Sequence, residues 1–299
     1  MAAMVNIDGR VVKEEDAVIS VFDHGFLYGE GVYEVLRTYN RSPFLYAPHT
    51  ARLRSSAEQI ALTVPISDEG LLQRIQETMD AGSTPDEAYV RILVTRGVGE
   101  LVYDPSACPT PTIVIIAKPH VSPPDSVFED GVRVSLVPIL RNHPQSLNPR
   151  IKSNNLLNNA LAMQQAYKRQ AFEALMRNHR GELCECSQSN FFLVTGGVLR
   201  TPPLDAGLLA GVTRAFVIEL AKSLQIRVRE EALVEEDLAD ADEAFLTSTT
   251  REIVPIVHVD DLEIGSGRPG PVTQQLLQEF RVRAAAATAT PSSPTTVTA

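Results

Sequence analysis

The chain has 299 residues, enough for two compact domains or one large one, and its 44% hydrophobic and 21% charged residues are the balance of a soluble globular protein. Its 27 basic and 37 acidic residues leave a net charge of −10, with no Lys/Arg run. A nucleic-acid or anionic-membrane surface needs a basic patch, so neither is expected as a partner, although an acidic whole can still hold a basic pocket.

Three cysteines, Cys108, Cys184 and Cys186, make a poor disulfide framework and suit a reducing compartment. The six histidines (24, 49, 120, 143, 179 and 258) show no ligand spacing, and the Cys184-Glu185-Cys186 pair lacks the partners of a zinc site, so no metal is expected. With no signal-like apolar core in MAAMVNIDGR and no window of transmembrane length, the expected location is the cytoplasm.

Residues 5–12 read as a hairpin around Asp8-Gly9, and 32–39 alternate as a strand. Residues 48–63 have helical spacing, with Leu53, Ala57, Ile60 and Ala61 on one stripe and Arg52 one turn from Ser56. A helix over 68–80 and strands over 89–95 and 112–117 follow. Three prolines within 118–125 mark a stiff linker. The pattern restarts with a strand at 132–139, a helix at 154–168, and strands at 172–177 and 190–195. A hairpin through Gly196-Gly197, a helix at 212–224, a helix–strand pair at 234–247, a strand at 252–258 and a helix at 272–284 complete it. The tail from 285 has Val297 as its one large apolar residue and is expected to be disordered. The fold class is therefore α/β (α+β), with a smaller N-terminal domain over 1–117, a linker over 118–125 and a larger domain over 126–284. The crevice between two such domains is a usual ligand site.

Four segments carry chemistry. Lys152 lies in a short polar loop ahead of an Asn-rich helix, with no adjacent acid; a desolvated lysine can form an imine with an aldehyde, although a surface lysine is the commoner case. Glu185, 33 residues later, leads into the apolar run 191–194, where an acid needs a cation or a proton. A pyridinium nitrogen supplies one. Gly211-Val212-Thr213-Arg214 opens a helix whose free N–H groups and dipole favour an anion; a plain N-cap is the bland alternative. Thr247-Ser248-Thr249-Thr250 is a hydroxyl cluster at a strand end that can hold phosphate or carboxylate, and Arg52 can add a bidentate clamp.

Together these segments resemble the fold-type IV pyridoxal-phosphate enzymes, from about residue 5 to about residue 284. Residues 23–34 (Asp23 to Glu34) look like that family's glycine-rich start of a strand, and His49-Thr50-Ala51-Arg52-Leu53 like its phosphate-arginine helix. Lys152-Ser153-Asn154-Asn155, Glu185 through Asn190, Gly211 through Arg214 and Ser248-Thr249-Thr250 match the rest. The resemblance implies a two-domain, D-amino-acid aminotransferase-like architecture with pyridoxal 5′-phosphate as cofactor. Lys152 would be the Schiff-base lysine and proton shuttle, and Glu185 would hold the pyridine nitrogen. Arg52, Val212 (by its backbone), Thr213 and Thr249 would bind the phosphate, with Ser248 beside them. Thr249 and Thr250 would also meet the substrate carboxylate. The family is typically dimeric, and Tyr28 and the loop near Val98–Leu101 are candidates to close the other subunit's site.

Within the family, Tyr89-Val90-Arg91 and the 96–109 segment are similar to branched-chain amino-acid aminotransferases, with Tyr28, Tyr33 and Arg37 as further substrate residues. That likeness implies transfer from a branched-chain L-amino acid to 2-oxoglutarate, Arg91 receiving the glutamate side chain. Glu34-Val35 is closer to D-amino-acid aminotransferases, but the arginine–x–histidine pair of that group is absent at Arg91-Ile92-Leu93. Leu156 stands where an aromatic residue often follows the lysine. D-amino-acid or (R)-amine transamination and aminodeoxychorismate lyase activity are the alternatives. A non-catalytic scaffold would have no reason to keep both Lys152 and Glu185.

Overall fold

The computed structural model describes residues 3–82 and 87–288. The hairpin forms as β1 (Met4–Ile7) and β2 (Arg10–Lys13), and both turn residues, Asp8 and Gly9, take positive φ. A short helix α1 (His24–Leu27), which the pattern did not indicate, is capped by Asp23 accepting from the Gly25 N–H. Strands β3 (Gly31–Tyr39), β4 (Ser42–Pro43), β5 (Ala88–Thr95) and β6 (Thr112–Pro119) complete an antiparallel sheet of order β2-β1-β6-β5-β3-β4. Helices α2 (Tyr46–Glu58) and α3 (Asp68–Ala81) cover one face. Ser67 caps α3, and its Leu71, Ile75 and Met79, four apart, are fully buried. The helix expected to reach 63 stops five residues earlier, and Ala61 turns left-handed at φ 49°.

Strand alternation decides what faces the other way. Val32, Leu36, Ala88, Val90, Ile92 and Val94 are fully buried, so Tyr33, Val35, Tyr89 and Arg91 share the opposite face, with Val35 directly across from Arg91.

The second sheet is mixed. After α4 (Ser126–Glu129) come β7 (Val132–Leu136), α5 (Leu157–Lys168), β8 (Glu173–Arg177), β9 (Leu183–Cys186), β10 (Asn190–Thr195), β11 (Val198–Thr201) and α6 (Val212–Ser223). Strands β12 (Val228–Glu230), β13 (Glu243–Ser248), β14 (Glu252–Val259) and β15 (Leu262–Glu263) and helix α7 (Pro271–Thr288) close the chain. The sheet order is β12-β11-β10-β13-β14-β7-β8-β9, with β15 on β14; β7 runs parallel to β8 and β14, and β12 to β11. Phe192 and Phe245 stack at 4.8 Å in the core beneath α6 and α7.

Strand β6 runs two residues past its expected end, to Pro119, into the expected linker, and three boundaries after it differ by three residues or more. β7 ends before Pro138, which has no N–H for a ladder. α5 starts at Leu157 rather than 154, because the residues before it are drawn onto β3. There, Tyr33 N–H donates to Lys152 O at 2.9 Å and Asn154 N–H to Gly31 O at 2.9 Å. α7 continues to Thr288, so the tail expected to be disordered from 285 is helical over its first residues. Asn40 donates to Ala285 O at 3.3 Å and helps hold that turn. The rest of the expected tail, 289–299, lies outside the described residues. Among the described residues no helix is long and apolar enough to cross a membrane.

Candidate active site

Residues from both sheets line a cavity of about 590 Å³. Of the residues singled out from the sequence, Lys152, Arg52, Glu185, Val212, Thr213, Ser248, Thr249, Thr250, Tyr33, Tyr89 and Arg91 all line it. Lys152 is fixed by its backbone: its N–H donates to Ser56 Oγ on α2 at 3.1 Å, and Ser153 pairs with Val32 at the start of β3. The contact is close because residue 31 is glycine; a Cβ there would stand 2.6 Å from Asn154 Nδ2 and 2.8 Å from Val94 O. The Lys152 ammonium then lies 4.4 Å from the centre of the Tyr33 ring, and the Arg91 guanidinium 4.3 Å from the same ring. Neither cation has a carboxylate partner among the described residues.

Glu185 is buried on β9 and is the single carboxylate in the cavity wall among the described residues. Arg141 donates to Oε1 at 2.6 Å, while the Leu209 N–H and Asn190 Nδ2 reach Oε2 at 3.0 and 3.4 Å. Arg141 also donates to Asn158 at 3.0 Å, which ties this end of the cavity to α5. Burial raises the pKa of the neighbouring Cys184 and Cys186 thiols, with the Glu185 charge adding to it, so these are inert neutral groups.

Another part of the cavity wall gathers backbone N–H groups and an arginine. α6 begins at Gly211 without any side-chain cap, so its first N–H groups are not taken by one. A Cβ on Gly211 would stand 1.9 Å from Asn190 Oδ1, so the backbone here must be bare. Arg52 arrives from α2 already oriented: Nε and Nη2 donate to Glu34 at 2.6 and 2.8 Å, and Nη1 to Ala210 O at 2.9 Å. His49 Nδ1 meets the same carboxylate at 2.8 Å. Burial pushes the Glu34 carboxyl up, but Arg52 and His49 together outweigh it and bring it from 4.5 down to about 2. Burial holds His49 below its ordinary 6.5 despite the upward pull of Glu34, so the ring is neutral near pH 7.

Two expected residues are not brought to the cavity. Arg37 shares the strand face of Tyr33 and Val35, but its guanidinium is drawn away into an ion pair with buried Glu252 at 2.9 Å and lies 4.5 Å from the Tyr39 ring. It is therefore not among the residues that line the cavity, where it was expected. Tyr28 packs at the end of α1 against His24 and Tyr103, with ring centres 4.9 and 5.0 Å away, outside the cavity of its own chain. Conversely, Arg141, Glu34, Glu173 and Arg251 were not foreseen. One cue was available: strand alternation turns Glu34 inward, where a buried acid needs a cation, and His49-x-x-Arg52 puts two bases on one helix face.

Among the described residues, the cavity thus gathers a lysine without an acidic partner, several arginines and one carboxylate. The chain belongs to the class IV amino-transferase family, whose model matches residues 31–259, and it is an aminotransferase of fold type IV. A Methanocaldococcus jannaschii protein provisionally named branched-chain-amino-acid aminotransferase is 41% identical over 277 residues, 93% of this chain and 95% of that protein. A Listeria monocytogenes D-alanine aminotransferase is 37% identical over 291 residues, covering 92% and 94%. Among solved structures, the Escherichia coli branched-chain amino acid aminotransferase superposes with a TM-score of 0.91 at 30% identity over 98% of each chain.

Proposed function

We propose that this aminotransferase moves the amino group of a branched-chain L-amino acid to 2-oxoglutarate, with pyridoxal 5′-phosphate held on Lys152. The observation that carries the reading is the charge pattern of the cavity: among the described residues, Lys152 and Arg91 lie against the Tyr33 ring without a carboxylate partner, and Glu185 is the one lining acid.

The residues present fit that cofactor. The uncapped start of α6, the pre-oriented Arg52 and the hydroxyls of Thr213, Ser248 and Thr249 make a donor set for a phosphate. Thr247 Oγ1, buried in the cavity wall, has no partner among the described residues and is available to a ligand. Glu185, paired with Arg141, would hold a ring N–H. When bound, the cofactor supplies a carbonyl that condenses with amines and a ring that takes up the electron pair left at Cα.

The chain's own residues do the rest. Lys152 carries the proton from Cα by its side-chain amine, its approach fixed by the backbone pairing to β3. Tyr33, Val35 and Leu156 supply an apolar wall for an aliphatic side chain, and Arg91 receives the second carboxylate of 2-oxoglutarate. Because Arg91 lies along the Tyr33 ring, its charge does not interrupt that wall. Thr249 and Thr250 meet the α-carboxylate.

The D-alanine aminotransferase relative and Glu34-Val35 in β3 favour transfer from D-amino acids, and (R)-amines with them, as a second reading. Lyase chemistry would use the same lysine but release pyruvate. The test is glutamate formation from 2-oxoglutarate with L-leucine, with D-alanine and with (R)-1-phenylethylamine. The proposal expects glutamate from L-leucine; consumption of D-alanine or the amine alone overturns it, as does the absence of glutamate with all three.

Three further proposals accompany it. Residues 1–117 and 126–284 are two domains joined by 118–125, a division supported by the two separate sheets. The protein works as a homodimer in the cytoplasm. The dimer is supported by the exposed Phe22, Phe26, Leu101 and Tyr103 around Tyr28, and the compartment by three free buried cysteines.

A further inference from the structure

We propose that Arg251 is a carboxylate-binding residue of this cavity, seated by the buried Glu173, and that it takes the carboxylate of the amino-acid or 2-oxo-acid substrate. The inference rests on the aminotransferase cavity described above and adds a residue to its recognition of acids.

Arg251 follows Thr249 and Thr250 in the turn between β13 and β14, and like them it lines the cavity. Its Nη1 lies 2.9 Å from Glu173 Oε2, and its Nε donates to Ser248 Oγ at 3.3 Å. The guanidinium carbon stands 5.3 Å from the centre of the Phe172 ring. Two of the N–H groups are thus taken, which leaves others of the fork for a ligand.

Glu173 makes the seat rigid. It is fully buried at the start of β8 and accepts from Ser187 Oγ at 3.2 Å, Ser189 Oγ at 2.7 Å and the Gln188 N–H, in addition to Arg251. One carboxylate therefore pins the 187–189 turn after β9 to the 248–251 turn, two neighbouring parts of the cavity wall. The Arg251 side chain is 16% exposed, whereas that of Glu173 is 0% exposed. The acid sits behind and the guanidinium in front, as with Glu34 and Arg52, whose side chains are 1% and 12% exposed. A guanidinium oriented by a buried acid has lost its rotamer freedom before the ligand arrives, so a planar carboxylate meets a preformed fork.

The test compares an acid with its uncharged amide. Wild-type, R251Q and R251K holoproteins are titrated calorimetrically with 4-methylpentanoate and with 4-methylpentanamide, after thermal melting has checked the fold. R251Q is expected to weaken the acid about ten- to a hundredfold, the range of one hydrogen bond to a charged group, with the amide unaffected. R251K, which keeps the charge but not the fork, is expected to fall between. Equal weakening of acid and amide assigns Arg251 to holding the wall alone and overturns the proposal, as does unchanged acid binding. If R251Q does not fold, R251K decides: selective loss of the acid supports the proposal, and wild-type binding of both ligands overturns it. Borohydride trapping reads the cofactor at Lys152 separately; its failure would sink the transaminase reading, while the acid–amide comparison would still report on Arg251.

Discussion

Replacing Glu34 by glutamine should loosen the anion end of the cavity from behind. Glu34 sits fully buried on β3 with Arg52 bound through two nitrogens, one to each oxygen, and His49 on Oε2. Glutamine keeps the shape but removes the counter-charge, so the largely buried guanidinium loses its partner. The fall of the Glu34 pKa from 4.5 to about 2 corresponds to about 3 kcal/mol of stability, and breaking a buried pair costs about the same. The sign follows from the direction. A carboxyl whose folded pKa is depressed contributes its stability above the unfolded value and loses it as pH falls through the folded one. The gap between wild type and E34Q should therefore be about 3 kcal/mol at pH 7 and should close as pH falls from 4.5 toward 2. Urea denaturation of both apo-proteins across that range measures it. A gap under about 1 kcal/mol at neutral pH, less than a typical hydrogen bond to a charged group, would refute the reasoning. So would a gap that does not change with pH.

His49 is held neutral by burial, so its folded pKa also lies below the ordinary 6.5. Stability should decline as pH falls below 6.5, and H49Q should lose that part of the decline in the same urea experiment. R91A should raise KM for glutamate about ten- to a hundredfold through a lost charged hydrogen bond while changing that for leucine far less; steady-state kinetics showing equal losses would contradict it. E185Q should retain bound cofactor by absorbance yet lower kcat about a hundredfold, since a neutral amide no longer holds the ring proton, and unchanged turnover would count against that role.

How much of this was legible depended on sequence distance. Strand alternation over 32–39 was legible because period-two patterning is local, while the pairing of β3 with β5 that sets Tyr33, Tyr89 and Arg91 on one face came only with the structure. The alternation also put Arg37 on that face. Glu252, 215 residues away, then claims the side chain, and no local pattern carries that information. The same holds for Arg141, which reaches Glu185 across 44 residues, so the acid was visible from its apolar surroundings but its partner was not. The start of α5 was misjudged for a related reason: residues 152–154 have helical neighbours in sequence, but β3 takes their hydrogen bonds. In α7 the alanine-rich end looked too poor in large side chains to be ordered, yet alanine is the strongest helix former, and the helix persists to Thr288.

The central claim is a covalent one, that the cofactor joins the side-chain amine of residue 152. Borohydride reduction of the cofactor-loaded protein, followed by proteolysis and mass spectrometry, should find the phosphopyridoxyl mass on the peptide containing Lys152 and nowhere else. The same mass on another lysine, or on none, would contradict the account.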